Sequence, residues 1–137
     1  MKQGYDAYKT ANIDTADQGR LIIIAYDIAI KSCKLALEKF DDRHLLEERT
    51  KHIFKAQDAI TELLTALKLD VGDIAKNLYN LYDYMLRCLV EASVKHKKEK
   101  ITEVLGYMES LREAWVVAIQ KTKTNNTSDL KLESMAV

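Results

Sequence analysis

Residues Asn77–Leu89 read NLYNLYDYMLRCL. At about 100° per residue, Ile74, Leu78, Leu81, Tyr82, Met85, Leu89 and Ala92 fall on one face of a helix, an ordinary core stripe. The apolar surface continues past it. Tyr79, Leu86 and Val90 widen it on one flank, and Tyr84 and Cys88 on the other. Together they cover roughly 200° of the wheel, where a one-sided surface helix needs little more than about 100°. Such a helix sits in the middle of a bundle or keeps apolar surface for a partner.

The rest of the chain suits that picture. Its 137 residues are enough for one domain with a real core. Lys and Arg number 21 and Asp and Glu 21, so no net field draws the chain to nucleic acid or to an anionic membrane. There is no proline and there are four glycines, in a background rich in Ala, Leu, Lys, Glu and Ile, which reads as all-helical. The opening MKQGYDAYKT has no apolar signal region, and no apolar run approaches the roughly 20 residues needed to span a bilayer. The expectation is a cytoplasmic protein without membrane insertion. Cys33 and Cys88 are then reduced thiols that pack as small apolar residues.

Four long helices follow in order, forming an antiparallel up-down four-helix bundle over residues 17–121. The first starts near Asp17, a plausible N-cap, and runs to about Phe40. Its segment Leu21–Ile30, LIIIAYDIAI, is apolar nearly all round and is expected to be central. The second, about Leu45–Leu67, carries a heptad of Leu46, Ile53, Ile60 and Leu67. The third is the Asn77–Leu89 helix, entered past Gly72 and ending near Val94. The fourth, about Ile101–Lys121, repeats the heptad as Ile101, Met108 and Trp115. Seven-residue repeats joined by short connections indicate shallow antiparallel packing. Residues 1–16, with Tyr5, Tyr8 and Ile13, read as a segment that docks on the bundle, and residues 122–137 as a polar tail.

Enzyme chemistry is mostly missing. No Glu has a His three residues later, as a di-iron bundle requires, and His44, His52 and His96 lie in polar contexts without a ligand set. No phosphate loop or nucleophile elbow is present. No catalytic residue, metal or cofactor is expected. One constellation has a chemical reading: His52-Ile-Phe-Lys55-Ala56 resembles the active helix of histidine phosphotransfer domains, with Ala56 where that family usually has glycine. The competing reading of His52 is a plain surface histidine beside a surface lysine.

The binding reading rests on more residues. Seven tyrosines stand against two phenylalanines and one tryptophan, and tyrosine tolerates half-exposed positions where partners dock. The alternative for Tyr79, Tyr82 and Tyr84 is the rim of an ordinary core. Gly106 in the fourth helix costs about 1 kcal/mol against alanine, which suits a position where another backbone comes close. Surplus apolar positions nominate a groove of Ile60 and Leu64 on the second helix, Tyr79, Leu86 and Val90 on the third, and Leu105 and Met108 on the fourth. Burying four or five such side chains yields on the order of 6–15 kcal/mol gross. Ordering a disordered segment consumes about 2–5 kcal/mol of that. A long amphipathic segment fits better than a short peptide. A self-associating scaffold, seen as a weak homodimer, would use the same surplus face.

These residues also resemble a known family. Tyr5-x-x-Tyr8, Thr15-Ala16, Ala25-Tyr26-Asp27, Lys55-Ala56-Gln57-Asp58-Ala59-Ile60, Asn77-Leu78-Tyr79-x-Leu81-Tyr82-Asp83-Tyr84-Met85 and Leu111-Arg112-Glu113-Ala114-Trp115 are similar, in order, to the flagellar export chaperone FliS family. The resemblance implies a helical bundle that binds the C-terminal segment of flagellin in the cytoplasm. There it would prevent premature polymerisation and bring flagellin to an export-gate component of the flagellar type III apparatus. It also implies that the N-terminal tyrosine segment, here Tyr5 and Tyr8 with Ile13 added on its apolar character, caps the groove. Gln18 stands where the family commonly has proline, Ile28 where glycine often follows the Tyr-Asp pair, and Ser93 in place of an asparagine.

Overall fold

The structure, a computed structural model, describes residues 18–68 and 72–136, with side chains described through residue 122. Tyr5, Tyr8, Ile13 and Asp17 lie outside the described residues. The described residues form four helices: α1 (Gln18–Glu38), α2 (Leu46–Thr65), α3 (Asp73–Lys95) and α4 (Lys98–Ala136). A 3-10 turn, Arg43–Leu45, leads into α2. The Asp42 carboxylate caps that turn by accepting from the His44 backbone N–H at 2.9 Å.

The helices form a ring in which α1 packs on α2 and α4, and α3 packs on α2 and α4. One end of the ring gathers the C-termini of α1 and α3 with the N-termini of α2 and α4, as an up-down bundle requires. There Arg49 donates to the Phe40 carbonyl at 3.3 Å, lies 3.3 Å from His96 Nδ1, and stacks 4.4 Å over the Phe40 ring. Its guanidinium therefore sits at the negative dipole ends of α1 and α3. Lys98, opening α4, reaches Asp41 at 2.7 Å.

The core is one continuous cluster, with Tyr26, Ile53, Ile60, Tyr82, Met85, Leu89, Ile101, Val104 and Met108 at its centre. The α1 contribution is made of small residues. Ala25, Ala29, Ser32, Cys33 and Ala36 are buried, which lets α1 and α2 approach closely and form the largest interface in the bundle. The expectation that Leu21–Ile30 is central holds for Ala25, Tyr26 and Ala29 but not for the large residues that open the segment. Leu21, Ile22, Ile23 and Ile24 are each only half-buried, because small residues occupy the inward face and turn the large ones to the flanks. Gly19 has a packing role: a Cβ there would stand 3.0 Å from Ile119 Cδ1, so its absence lets the start of α1 lie against α4.

The last helix also differs from the sequence expectation. It does not stop near Lys121 but continues to Ala136. No proline or glycine follows Gly106, so nothing in the chain breaks the helix there.

Candidate partner-binding surface

Contacts between helices fix which way each flank faces. Glu48 of α2 pairs with Lys39, the residue after α1, at 3.7 Å, so that flank of α2 turns to α1. The opposite flank, bearing Leu46, Gln57, Ile60 and Leu64, turns to α3. On α3, the Tyr84 hydroxyl donates to Glu103 of α4 at 2.6 Å, so the Tyr84 and Cys88 flank turns to α4. The other flank, with Tyr79, Leu86 and Val90, turns to α2. Half of the excess width of α3 is thus spent on α4, where Cys88 is buried and Tyr84 half-buried. The other half is left facing a groove.

The nominated residues divide accordingly. Tyr79 and Val90 are exposed, Val90 by half, while Leu64 and Leu86 are partly buried against the core and open to the same α2–α3 groove. Ile60 and Met108 have no exposed surface and belong to the core beneath. Leu105 lies one heptad before Arg112, which pairs with Asp27 of α1 at 2.6 Å, so Leu105 stands on the α1 side of α4, away from the groove. Four of the seven therefore share one surface. The sequence reading missed six exposed apolar side chains: Leu46, Phe54, Ile74, Val94, Tyr107 and Val117. Ile74 and Leu46 belong to stripes that the period assigns to the core, but each lies in the first turn of its helix, where the neighbouring helices no longer cover it.

The α2 side of this surface is uncharged over its whole length. Leu46, Thr50, Gln57, Ile60 and Leu64 form it, while Phe54 and Thr61 lie further out, on the face that also bears Glu47 and Asp58. On α3 the matching strip is Tyr79, Asp83, Leu86, Val90 and Val94, with Asp83 paired to Arg87 at 3.3 Å. A strip with so little charge is conspicuous in a chain that is 31% Asp, Glu, Lys and Arg.

A cavity of about 360 Å³ opens at the other end of the ring, where α1 and α3 begin and α2 ends. Ile22, Leu63, Leu67, Ile74, Leu78, Tyr82 and Trp115 line it, with Lys68 among them. Gln18, the first described residue, is one turn from Ile22.

The chemistry elsewhere is structural. Glu103 accepts from both Tyr84 and Tyr107, whose rings meet edge-on with centroids 6.4 Å apart, and its carboxyl is held below the usual glutamate range by these bonds. Hydrogen bonding to Glu103 raises both phenols in turn. Glu91 is lowered by the Lys97 ammonium at 3.1 Å. His52 is half-buried, and its imidazole is lowered by desolvation and by Lys39 and Lys55. No group of three or more His, Cys, Asp or Glu among the described residues is arranged to hold a metal ion. No described helix is long and apolar enough to cross a membrane. Gly106 is exposed, and a Cβ there would meet nothing within 4 Å among the described residues, so none of them explains the glycine.

Comparison with known proteins points to one family. The model of the family described as flagellar protein FliS matches residues 1–122. The flagellar secretion chaperone FliS of Bacillus subtilis is 32% identical over 123 residues, covering 90% of this chain and 91% of the relative. Its namesake in Vibrio cholerae is 27% identical over 123 residues, covering 84% of this chain and 88% of the relative. The Salmonella typhimurium chaperone of the same name is 46% identical over a shorter stretch of 44 residues, 32% of this chain and 33% of the relative. The chain belongs to the FliS family.

Proposed function

From that membership we infer that the protein is a non-enzymatic cytoplasmic export chaperone, whose client is the C-terminal segment of flagellin. The observation that carries this reading is the largely apolar strip along α2 and α3, left open by the chain's own described residues. Leu64, Tyr79, Leu86 and Val90 contact the client, with Ile60 and Met108 supporting them from the core. Leu105, on the α1 side of α4, is reached only by a segment long enough to wrap the bundle. A covered strip keeps flagellin from polymerising early and lets the pair be handed to an export-gate component of the flagellar type III apparatus.

The N-terminal segment fits the same scheme as a cap. Residues 1–16 precede Gln18 in the chain, and Gln18 is one turn from Ile22, which lines the apolar cavity at the open end of the ring. Tyr5, Tyr8 and Ile13 are the side chains that would fill it in the free protein and leave when the client arrives. No observation here favours phosphotransfer by His52 or a self-associating scaffold over this reading.

Calorimetric titration with the C-terminal segment of the same organism's flagellin tests it. One-to-one binding with a negative heat-capacity change is expected, because apolar surface is buried. Tyr79→Asp and Val90→Asp are expected to weaken it, and both positions are exposed, so the fold tolerates the change. Absence of heat and of a complex on a sizing column would remove flagellin as the client.

A further inference from the structure

The outer face of α4 is turned away from α2 and takes no part in the core. Val117 on that face is 45% exposed. It sits in a shallow depression of about 500 Å³, whose lining includes Ala114, Ala118, Glu113 and Lys121. Glu113 stands about one turn before Val117 and Lys121 about one turn after it, on the same side of the helix. Both are exposed, and neither pairs with another described residue. The helix also outruns the bundle. Ile119 lies against Gly19 at the described start of α1, yet α4 continues to Ala136, about 25 Å further at 1.5 Å per residue. Toward the other end, Gly106 is exposed, with open space where a side chain would stand.

We propose that this face pairs with the same face of a second copy, antiparallel, about a two-fold axis through Val117. Such an axis brings each residue before position 117 level with the residue equally far after it in the other copy, and on the same side. Glu113 therefore meets the second copy's Lys121, and Lys121 its Glu113, while the two valines touch at the centre. Charge fixes the register, because sliding one copy by a turn would set Val117 against a charge instead. Ala114 and Ala118 are small enough to let the two helices approach. Ser110 and Gly106 come level with residues 124 and 128 of the other copy, which belong to its projecting helix. Each overhang is thus covered, and Gly106 stands where a second backbone passes. A single helix pair buries less than the roughly 1,600 Å² of a standard interface, so the dimer is weak and forms at high concentration. It leaves the α2–α3 strip of both copies open and does not depend on what that strip binds.

Sedimentation equilibrium of the full chain, from micromolar to submillimolar concentration, tests the interface. Wild type is expected to dimerise. Glu113→Lys and Lys121→Glu each set like charges together twice in one interface, and each is expected to weaken the dimer about tenfold or more. Both positions are exposed, so the monomer folds unchanged. An equal mixture of the two variants pairs opposite charges at both contacts and is expected to recover the wild-type Kd. The double variant Glu113→Lys/Lys121→Glu is expected to do the same by itself. Wild type that stays monomeric throughout, or a mixture that pairs no better than either variant alone, overturns the proposal. A dimer indifferent to both reversals overturns it too, and loss of that dimer in Val90→Asp would move the contact to the α2–α3 strip.

Discussion

The hydroxyls of Tyr26 and Tyr82 are hydrogen-bonded to each other inside the bundle, joining α1 to α3 across the core. These two helices are not neighbours in the ring, and both tyrosines are essentially inaccessible to water. Their rings are tilted at 56° with centroids 6.5 Å apart. A buried hydroxyl left without a partner costs about 1–3 kcal/mol, more than the net worth of the bond itself. Tyr26→Phe and Tyr82→Phe are each expected to destabilise, and the double variant by less than their sum. Urea unfolding of all four proteins measures the coupling.

The same pair makes a prediction in alkali. Burial raises both phenols, and for Tyr26 the adjacent Tyr82 raises it further. A group whose folded value lies above its unfolded value favours the fold below the unfolded value, about 10 for tyrosine, and that contribution is lost as pH rises. Wild type should lose melting temperature between about pH 9 and 11 more steeply than Tyr26→Phe/Tyr82→Phe. Parallel curves would show that the pair does not govern alkaline stability.

Glu103 acts in the opposite pH range. Its folded value is depressed, chiefly by the hydrogen bond from Tyr84, so its contribution is present above the ordinary glutamate range and lost as pH falls through the depressed value. Glu103→Gln keeps the acceptor oxygen but cannot titrate. Melting temperature followed from pH 6 toward about pH 3 should fall less steeply in the variant than in wild type.

Two glycines should respond with opposite signs to alanine. Gly72 precedes α3 with φ +125° and ψ −169°, a region that side chains avoid, so Gly72→Ala is expected to cost about 1–3 kcal/mol. Gly106 lies inside α4 with open space around it, so Gly106→Ala is expected to stabilise the free protein by about 0.5–1 kcal/mol. Denaturant midpoints of the two variants decide this directly.

Both cysteines are buried and free, and burial pushes the Cys33 thiol up to about 12. Neither should react with a thiol reagent in the native protein on the timescale of minutes, and both should react in denaturant. Fast labelling of native protein would show that α1 or α3 opens locally.

Much of this molecule was legible in its residues. A helical period with no proline, heptads in α2 and α4, and polar connections at 41–45 and 95–100 specify four helices whose short joins leave little choice but an up-down ring. Ile53, Ile60, Ile101 and Met108 are buried as their spacing requires. The surface was harder to read. Ile60 and Met108 looked like groove residues and are core, Leu105 faces the α1 side, and Phe54 passed unnoticed because a lone exposed phenylalanine has no periodic signal. Residue spacing gives each side chain an angle about its own helix axis, and on α3 that alone predicted an apolar surface broader than one inward face. It does not say where the next helix stands. Packing decided that Tyr84 and Cys88 would be used up against α4, because Glu103 lies there to accept the phenol, while Tyr79, Leu86 and Val90 face α2 and are not fully covered by the described residues.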